Sequence, residues 1–168
     1  KTAEVFDSEG FFLTGDIAEI DAEGFIRITD RKKDLIVTGG GKNIAPQPIE
    51  AELKRSAFVD NAVIIGDRRP YLVVLLSPNT EEVEKWAESE WIEFSSTEEM
   101  TKHPKLAAAF AEVVQTTNST LASYEQIKKH VVLPLMLSIE DGTLTPTLKV
   151  KRRVVEQQYE SLVEEMYA

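Results

Sequence analysis

Asp30-Arg31-Lys32-Lys33-Asp34-Leu35-Ile36-Val37-Thr38-Gly39-Gly40-Gly41-Lys42-Asn43-Ile44 is the stretch whose reading decides the architecture of this 168-residue chain. A charged turn passes into a short β-rich run, Leu35 to Thr38, and then into three consecutive glycines, which permit backbone paths closed to other residues. From about Pro48 the period changes, because Ile49 and Leu53 stand four apart on one face of a helix.

Upstream of that stretch, Asp7-Ser8-Glu9-Gly10-Phe11 recurs fourteen positions on as Asp21-Ala22-Glu23-Gly24-Phe25. Each Asp-x-Glu-Gly is a turn signal, and the runs Ile17–Ile20 and Phe25–Ile28 are short and β-rich, so residues 5–30 are expected to form an antiparallel meander. Two copies are too few for a solenoid.

Downstream, Ala62–Ile65 and Tyr71–Leu76 read as buried strands joined by the turn Asp67-Arg68-Arg69-Pro70. Asn79 with Glu82 resembles a capping box that opens a helix through Trp86 towards Trp91, and Leu106, Phe110 and Val113 mark another helix. A short helix is expected around Tyr124-Gln126-Ile127, then the apolar run Val131–Leu133 and the turn Glu140-Asp141-Gly142. A terminal helix carries Val155, Tyr159, Leu162, Val163 and Met166 on one stripe. The fold class is therefore α+β: a small mixed or antiparallel sheet with flanking helices, preceded by the β-meander.

Composition narrows the function. A 42% hydrophobic content supports one ordinary core. Twenty-nine acidic against nineteen basic residues, a net charge of −10, make nucleic acid a poor partner. With no cysteine there is no disulfide and no thiolate chemistry, and the two histidines, His103 and His130, stand in unrelated contexts that suit half-buried residues better than metal ligands. No apolar run approaches the ~20 residues that cross a bilayer, and Lys1-Thr2-Ala3-Glu4 lacks a signal-peptide pattern. The expectation is a fragment of a longer cytoplasmic protein, with peripheral membrane proximity left open.

Two further motifs carry chemistry. Thr14-Gly15-Asp16 places a carboxylate where one strand gives way to the next, and a carboxylate there can accept the vicinal hydroxyls of a ribose. Leu144-Thr145-Pro146-Thr147-Leu148-Lys149-Val150-Lys151-Arg152-Arg153 precedes the last helix. A lysine suits charge-developing chemistry because its ammonium is a compact point charge on a long stem. Lys151, Arg152 and Arg153 carry no catalytic role in this reading.

Taken together, Thr14-Gly15-Asp16, then Asp30-Arg31-x-x-Asp34-x-Ile36, the glycines, Asn43-Ile44, Ile49-Glu50 and the Lys149 segment resemble the signatures of the adenylate-forming superfamily. That superfamily comprises acyl-CoA synthetases, peptide-synthetase adenylation domains and firefly luciferases. The resemblance covers nearly the whole chain, from Gly10 to Lys149, and Leu-Thr-Pro-Thr-Leu-Lys resembles long-chain fatty acid ligases in particular.

The resemblance implies that residues 1–32 end a large N-terminal domain whose remainder is missing here, and that residues 33–168 form a mobile lid. It implies that Asp16 and Arg31 hold the ATP ribose, that Ile28 lies against the nucleotide, that Lys33 is the hinge and that Lys149 is catalytic in adenylation. The glycine hairpin would line the CoA pantetheine tunnel after the lid rotates. The segment from Asp34 to Ile44 is one residue longer than in many relatives, so Gly40 and Gly41 both qualify, with Gly40 preferred. Most relatives have a glycine before the lysine, whereas here Leu148 stands there, so the loop is expected to forgo a glycine's freedom in φ.

The implied reaction converts a long-chain fatty acid, ATP and CoA into acyl-CoA, AMP and pyrophosphate through an acyl-adenylate, with Mg2+ bound mainly outside this chain. The phosphate-binding loop and acyl pocket are absent from the 168 residues, so this chain alone is not expected to complete the reaction. Two alternatives stay open: a fatty acyl-AMP ligase that serves a carrier protein, and a non-catalytic lid-like module.

Overall fold

A computed structural model describes residues 5–168, so the Lys1–Glu4 segment read above for a signal pattern lies outside the described residues. The meander is present. Asp7 Oδ1 accepts the N–H groups of Glu9 and Phe11, both at 2.9 Å, and Asp21 Oδ1 accepts those of Glu23 and Phe25 at 3.0 and 2.9 Å. The sequence repeat is thus one Asp-capped turn used twice. The second turn joins β1 (Asp16–Ile20) to β2 (Ile26–Arg31), antiparallel with a bulge at Ile17/Ala18.

A 3₁₀ turn, Lys32–Asp34, leads to the short hairpin of β3 (Ile36–Val37) and β4 (Asn43–Ile44). The strand expected over Leu35–Thr38 is therefore only two residues long. Helix α1 (Pro46–Leu53) begins two residues before Pro48, with Pro46 at its first position, where the missing N–H is no loss.

The main sheet has the order β5–β6–β7, from β5 (Val59–Ile65), β6 (Leu72–Pro78) and β7 (Ile127–Val132). Strand β6 pairs antiparallel with β5 and parallel with β7. The parallel pairing needs a crossover, which α2 (Thr80–Ser89), α3 (Thr97–Lys102) and α4 (Pro104–Asn118) supply.

Both faces of the sheet are covered, which explains the unbroken apolar runs. Ala62, Ile64, Leu72, Val74 and Leu76 pack with Ile49 and Leu53 of α1 and with Leu106 and Phe110 of α4. Val63, Ile65, Val73 and Leu75 face Val155, Val163 and Met166 from α5 (Arg152–Gln158) and α6 (Glu160–Tyr167). Among the described residues no helix is long and apolar enough to cross a membrane.

Several local expectations need correction. The segment Tyr124–Gln126 is a turn rather than a helix and Ile127 opens β7, because the Asn118 side chain donates to the Ile127 carbonyl and accepts its N–H. Helix α2 stops at Ser89, leaving Trp91 94% exposed with φ 57°. Asn79 does accept the Glu82 N–H, but the Asn79 N–H goes to the Phe58 carbonyl and Glu82 pairs with Lys85, so only half of the capping box forms. The single terminal helix is two, broken at Tyr159.

Candidate active site

A cleft of about 970 Å3 opens between the β1–β2 hairpin, α1 and the loop before α5. It gathers Asp16, Ile28, Arg31, Lys33 and Lys149, five of the seven site residues expected from sequence. Arg31, Lys33, Lys54, Lys149, Lys151, Arg152 and Arg153 line it against Asp16, Asp30, Asp34 and Glu50. In a chain of net charge −10 this is a locally cationic surface, suited to a phosphorylated ligand.

Asp16 and Arg31 are register partners at the end of the β1–β2 ladder, and Arg31 Nε lies 3.3 Å from Asp16 Oδ1. The Thr14 hydroxyl accepts the Asp16 N–H at 3.1 Å, and the Gly15 carbonyl accepts the Lys32 N–H at 2.7 Å. A partly exposed pair contributes little to stability, so its main effect is to orient a carboxylate and a guanidinium over the cleft. Ile28 is exposed on β2 beside them, and Lys33 sits within the 3₁₀ turn.

Lys149 is carried by a tight loop. Leu144 and Val150 form an antiparallel bridge, and the Lys151 N–H donates to the Thr143 carbonyl at 2.8 Å. Inside it, Thr145 Oγ1 accepts the Lys149 N–H at 3.0 Å, while Lys149 O accepts the Thr145 N–H at 2.8 Å. Leu148 adopts φ 58° with its side chain 68% exposed. The loop thus keeps the left-handed conformation that a glycine would take freely, with leucine in it, at a cost of about 1–2 kcal/mol. Below the loop, Asp141 Oδ1 accepts the Thr143 hydroxyl at 2.5 Å and its N–H at 2.8 Å, and these bonds hold the Asp141 carboxyl below its ordinary range.

Gly40 and Gly41 are outside the cleft, at the tip of the β3–β4 hairpin. Gly41 has φ 77° and donates its N–H to the Thr38 carbonyl at 2.8 Å, so a side chain there would be strained. Gly40 has open space around its Cα, and nothing in this arrangement requires it to be glycine. The cleft therefore presents Lys149, and the hairpin faces elsewhere.

Two further contributors, Asp30 and the partly buried Arg152, are not singled out by the sequence. Asp30, 1% exposed, accepts the Arg31 N–H through Oδ1 at 2.6 Å and the Gln47 N–H through Oδ2 at 3.3 Å. Arg152 reaches Glu50 on α1, a partner 102 residues away. All three residues lie inside the quoted motifs, but nothing local in the sequence pairs Arg152 with Glu50 across 102 residues.

The sequence pattern described as AMP-binding enzyme C-terminal domain matches residues 33–168. The long-chain-fatty-acid–CoA ligase FadD15 of Mycobacterium tuberculosis is 36% identical over 167 residues, 99% of this chain but 28% of that protein. The A domain of carboxylic acid reductase from Segniliparus rugosus, solved in complex with AMP and a co-purified carboxylic acid, superposes with a TM-score of 0.77 at 27% identity, covering 99% of this chain and 24% of that one. The A-PCP didomain of the Segniliparus rugosus reductase gives a TM-score of 0.73 at 28% identity, with 99% and 22% covered. The chain belongs to the AMP-binding enzyme C-terminal domain family. It spans about a quarter of the length of the relatives it matches.

Proposed function

We propose that the chain is the C-terminal part of an ATP-dependent, AMP-forming long-chain fatty acid–CoA ligase, caught with its lid in the adenylating pose. The observation that carries this reading is the convergence of Lys149 with the Asp16–Arg31 pair and Ile28 on one cationic cleft. Residues 33–168 are the lid, Lys33 is its hinge, and residues 1–32 belong to the preceding domain. The exposed Phe11, Phe12, Ile20, Phe25 and Ile26 of the meander support that last assignment, since such a patch fits burial against further polypeptide.

Asp16 and Arg31 bind the ribose of ATP, and Ile28 packs against the nucleotide. The Lys149 ammonium offsets the charge that develops between the acyl carboxylate and the α-phosphate. After rotation about Lys33 the β3–β4 hairpin takes its place, and Gly40 and Gly41 make room for the pantetheine arm of CoA. Mg2+ is assigned to the preceding domain, and no step here involves it. A cytoplasmic enzyme in peripheral contact with membranes suits a fatty substrate.

The test is Lys149→Ala in the full-length ligase, with the half-reactions measured separately. Adenylate formation from palmitate and ATP is expected to fall by about 10²–10³, while thioester formation from supplied palmitoyl-adenylate stays near its original rate. Ordinary adenylation by the variant would remove Lys149 from the chemistry. The similarity to an A-PCP didomain favours one second reading, transfer to a carrier protein, which acyl transfer to a phosphopantetheinyl carrier but not to free CoA would identify.

A further inference from the structure

Arg152, three residues beyond Lys149, opens α5 and points back into the fold. Its Nη1 donates to Glu50 Oε1 and to the Ile64 carbonyl, both at 2.6 Å, and its Nη2 donates to Glu50 Oε2 at 3.0 Å. Glu50 Oε1 also accepts the Ile64 N–H at 2.8 Å. The two side chains are only 25% and 15% exposed. A guanidinium is a rigid fork, and here it joins the C-terminal leg of the Lys149 loop to α1 and β5 at once.

That attachment matters because the loop cannot hold its shape by local preference. Leu148 sits at φ 58°, a conformation that persists only where the surroundings over-determine it. The Leu144–Val150 bridge and the bond from the Lys151 N–H to the Thr143 carbonyl tie the two legs of the loop to each other. Arg152 ties the C-terminal leg to α1 and β5. One turn before Glu50, the Gln47 N–H of α1 donates to Asp30, the neighbour of Arg31. The first turns of α1 therefore hold both Asp30, beside Arg31, and the anchor of the Lys149 loop.

We propose that Arg152, acting through Glu50, is a positioning residue for Lys149: it fixes the lysine over the cleft for adenylate formation and takes no part in the thioester step. This rests on the assignment of Lys149 made above. A lysine at 152 would keep the charge but could not engage both Glu50 oxygens and the Ile64 carbonyl together.

The experiment compares Arg152→Lys, Lys149→Ala and the double variant in the full-length ligase, in both half-reactions, with palmitate, ATP and CoA as probes. Arg152→Lys is expected to lower kcat for adenylation by about tenfold or more, with thioester formation from supplied palmitoyl-adenylate within about twofold. The double variant is expected to adenylate no more slowly than Lys149→Ala alone, because the effect of Arg152 passes through that lysine. Should Arg152→Lys fail to fold, Glu50→Gln, which keeps an acceptor for the Ile64 N–H, is read in its place. Equal losses in both half-reactions, or additive losses in the double variant beside a slow Lys149→Ala, would overturn the positioning role alone. Ordinary adenylation by Lys149→Ala would overturn the assignment beneath it as well.

Discussion

The carboxylate of Asp30 accepts the backbone N–H of Gln47 at 3.3 Å, and the two residues lie on opposite sides of Lys33. If the lid turns about Lys33, this bond across the hinge must break. A hydrogen bond to a charged group contributes about 1.5–3 kcal/mol. Asp30→Asn removes the charge and offers one acceptor where two N–H groups are now served. Under the proposed function, the expected result in the full-length protein is a shift of about tenfold in the ratio of the half-reaction rates towards thioester formation. An unchanged ratio would mean that the contact does not bias the lid.

Lys33→Pro tests the proposed hinge from the other direction. Proline fixes φ near −65° and so limits the backbone rotation available at that position. Thioester formation is expected to suffer more than adenylation. Matching losses would place the pivot elsewhere.

Leu148 offers a test of stored backbone strain. Leu148→Gly relieves about 1–2 kcal/mol in the native loop but gives the unfolded chain more freedom, leaving a net gain below about 1 kcal/mol. Leu148→Val, β-branched in the left-handed region, is expected to fall below the parent. Thermal denaturation of the three proteins should rank them glycine, leucine, valine, and valine at the top would contradict the loop conformation.

The legibility of the chain follows from range. The runs Ala62–Ile65 and Tyr71–Leu76 announced β5 and β6 because both faces of the sheet are covered, and the repeated Asp-x-Glu-Gly announced its turns because each is closed by its own aspartate. The strand at Ile127 has no local signature, because it is made by the Asn118 side chain nine residues back and by parallel pairing with the distant Leu72. The same holds in the site. Asp16, Arg31 and Lys149 are marked by short motifs, whereas the pairing of Glu50 with Arg152 forms only once the whole sheet is built between them.

His130 on β7 predicts a pH effect. Burial lowers its pKa from the ordinary 6.5, so the folded protein prefers the neutral ring. Below 6.5 the unfolded chain takes up the proton more readily, so stability is full above that pH and declines as pH falls towards the folded pKa. Chemical denaturation at pH 7.5 and at pH 5.5 should show a smaller drop in His130→Gln than in the parent. Equal drops would show that His130 is not the group responsible.

The parallel seam between β6 and β7 also sets an order in time. Strands β5 and β6 meet through the short Asp67–Pro70 turn, whereas Leu72 must wait for Ile127, with three helices strung between them. Closing the longer loop costs more entropy before any contact rewards it. The β5–β6 hairpin is therefore the early-forming piece and β7 the late one. A polypeptide still emerging from the ribosome would pass through a stage in which one edge of β6 stands bare, open to pairing with another chain.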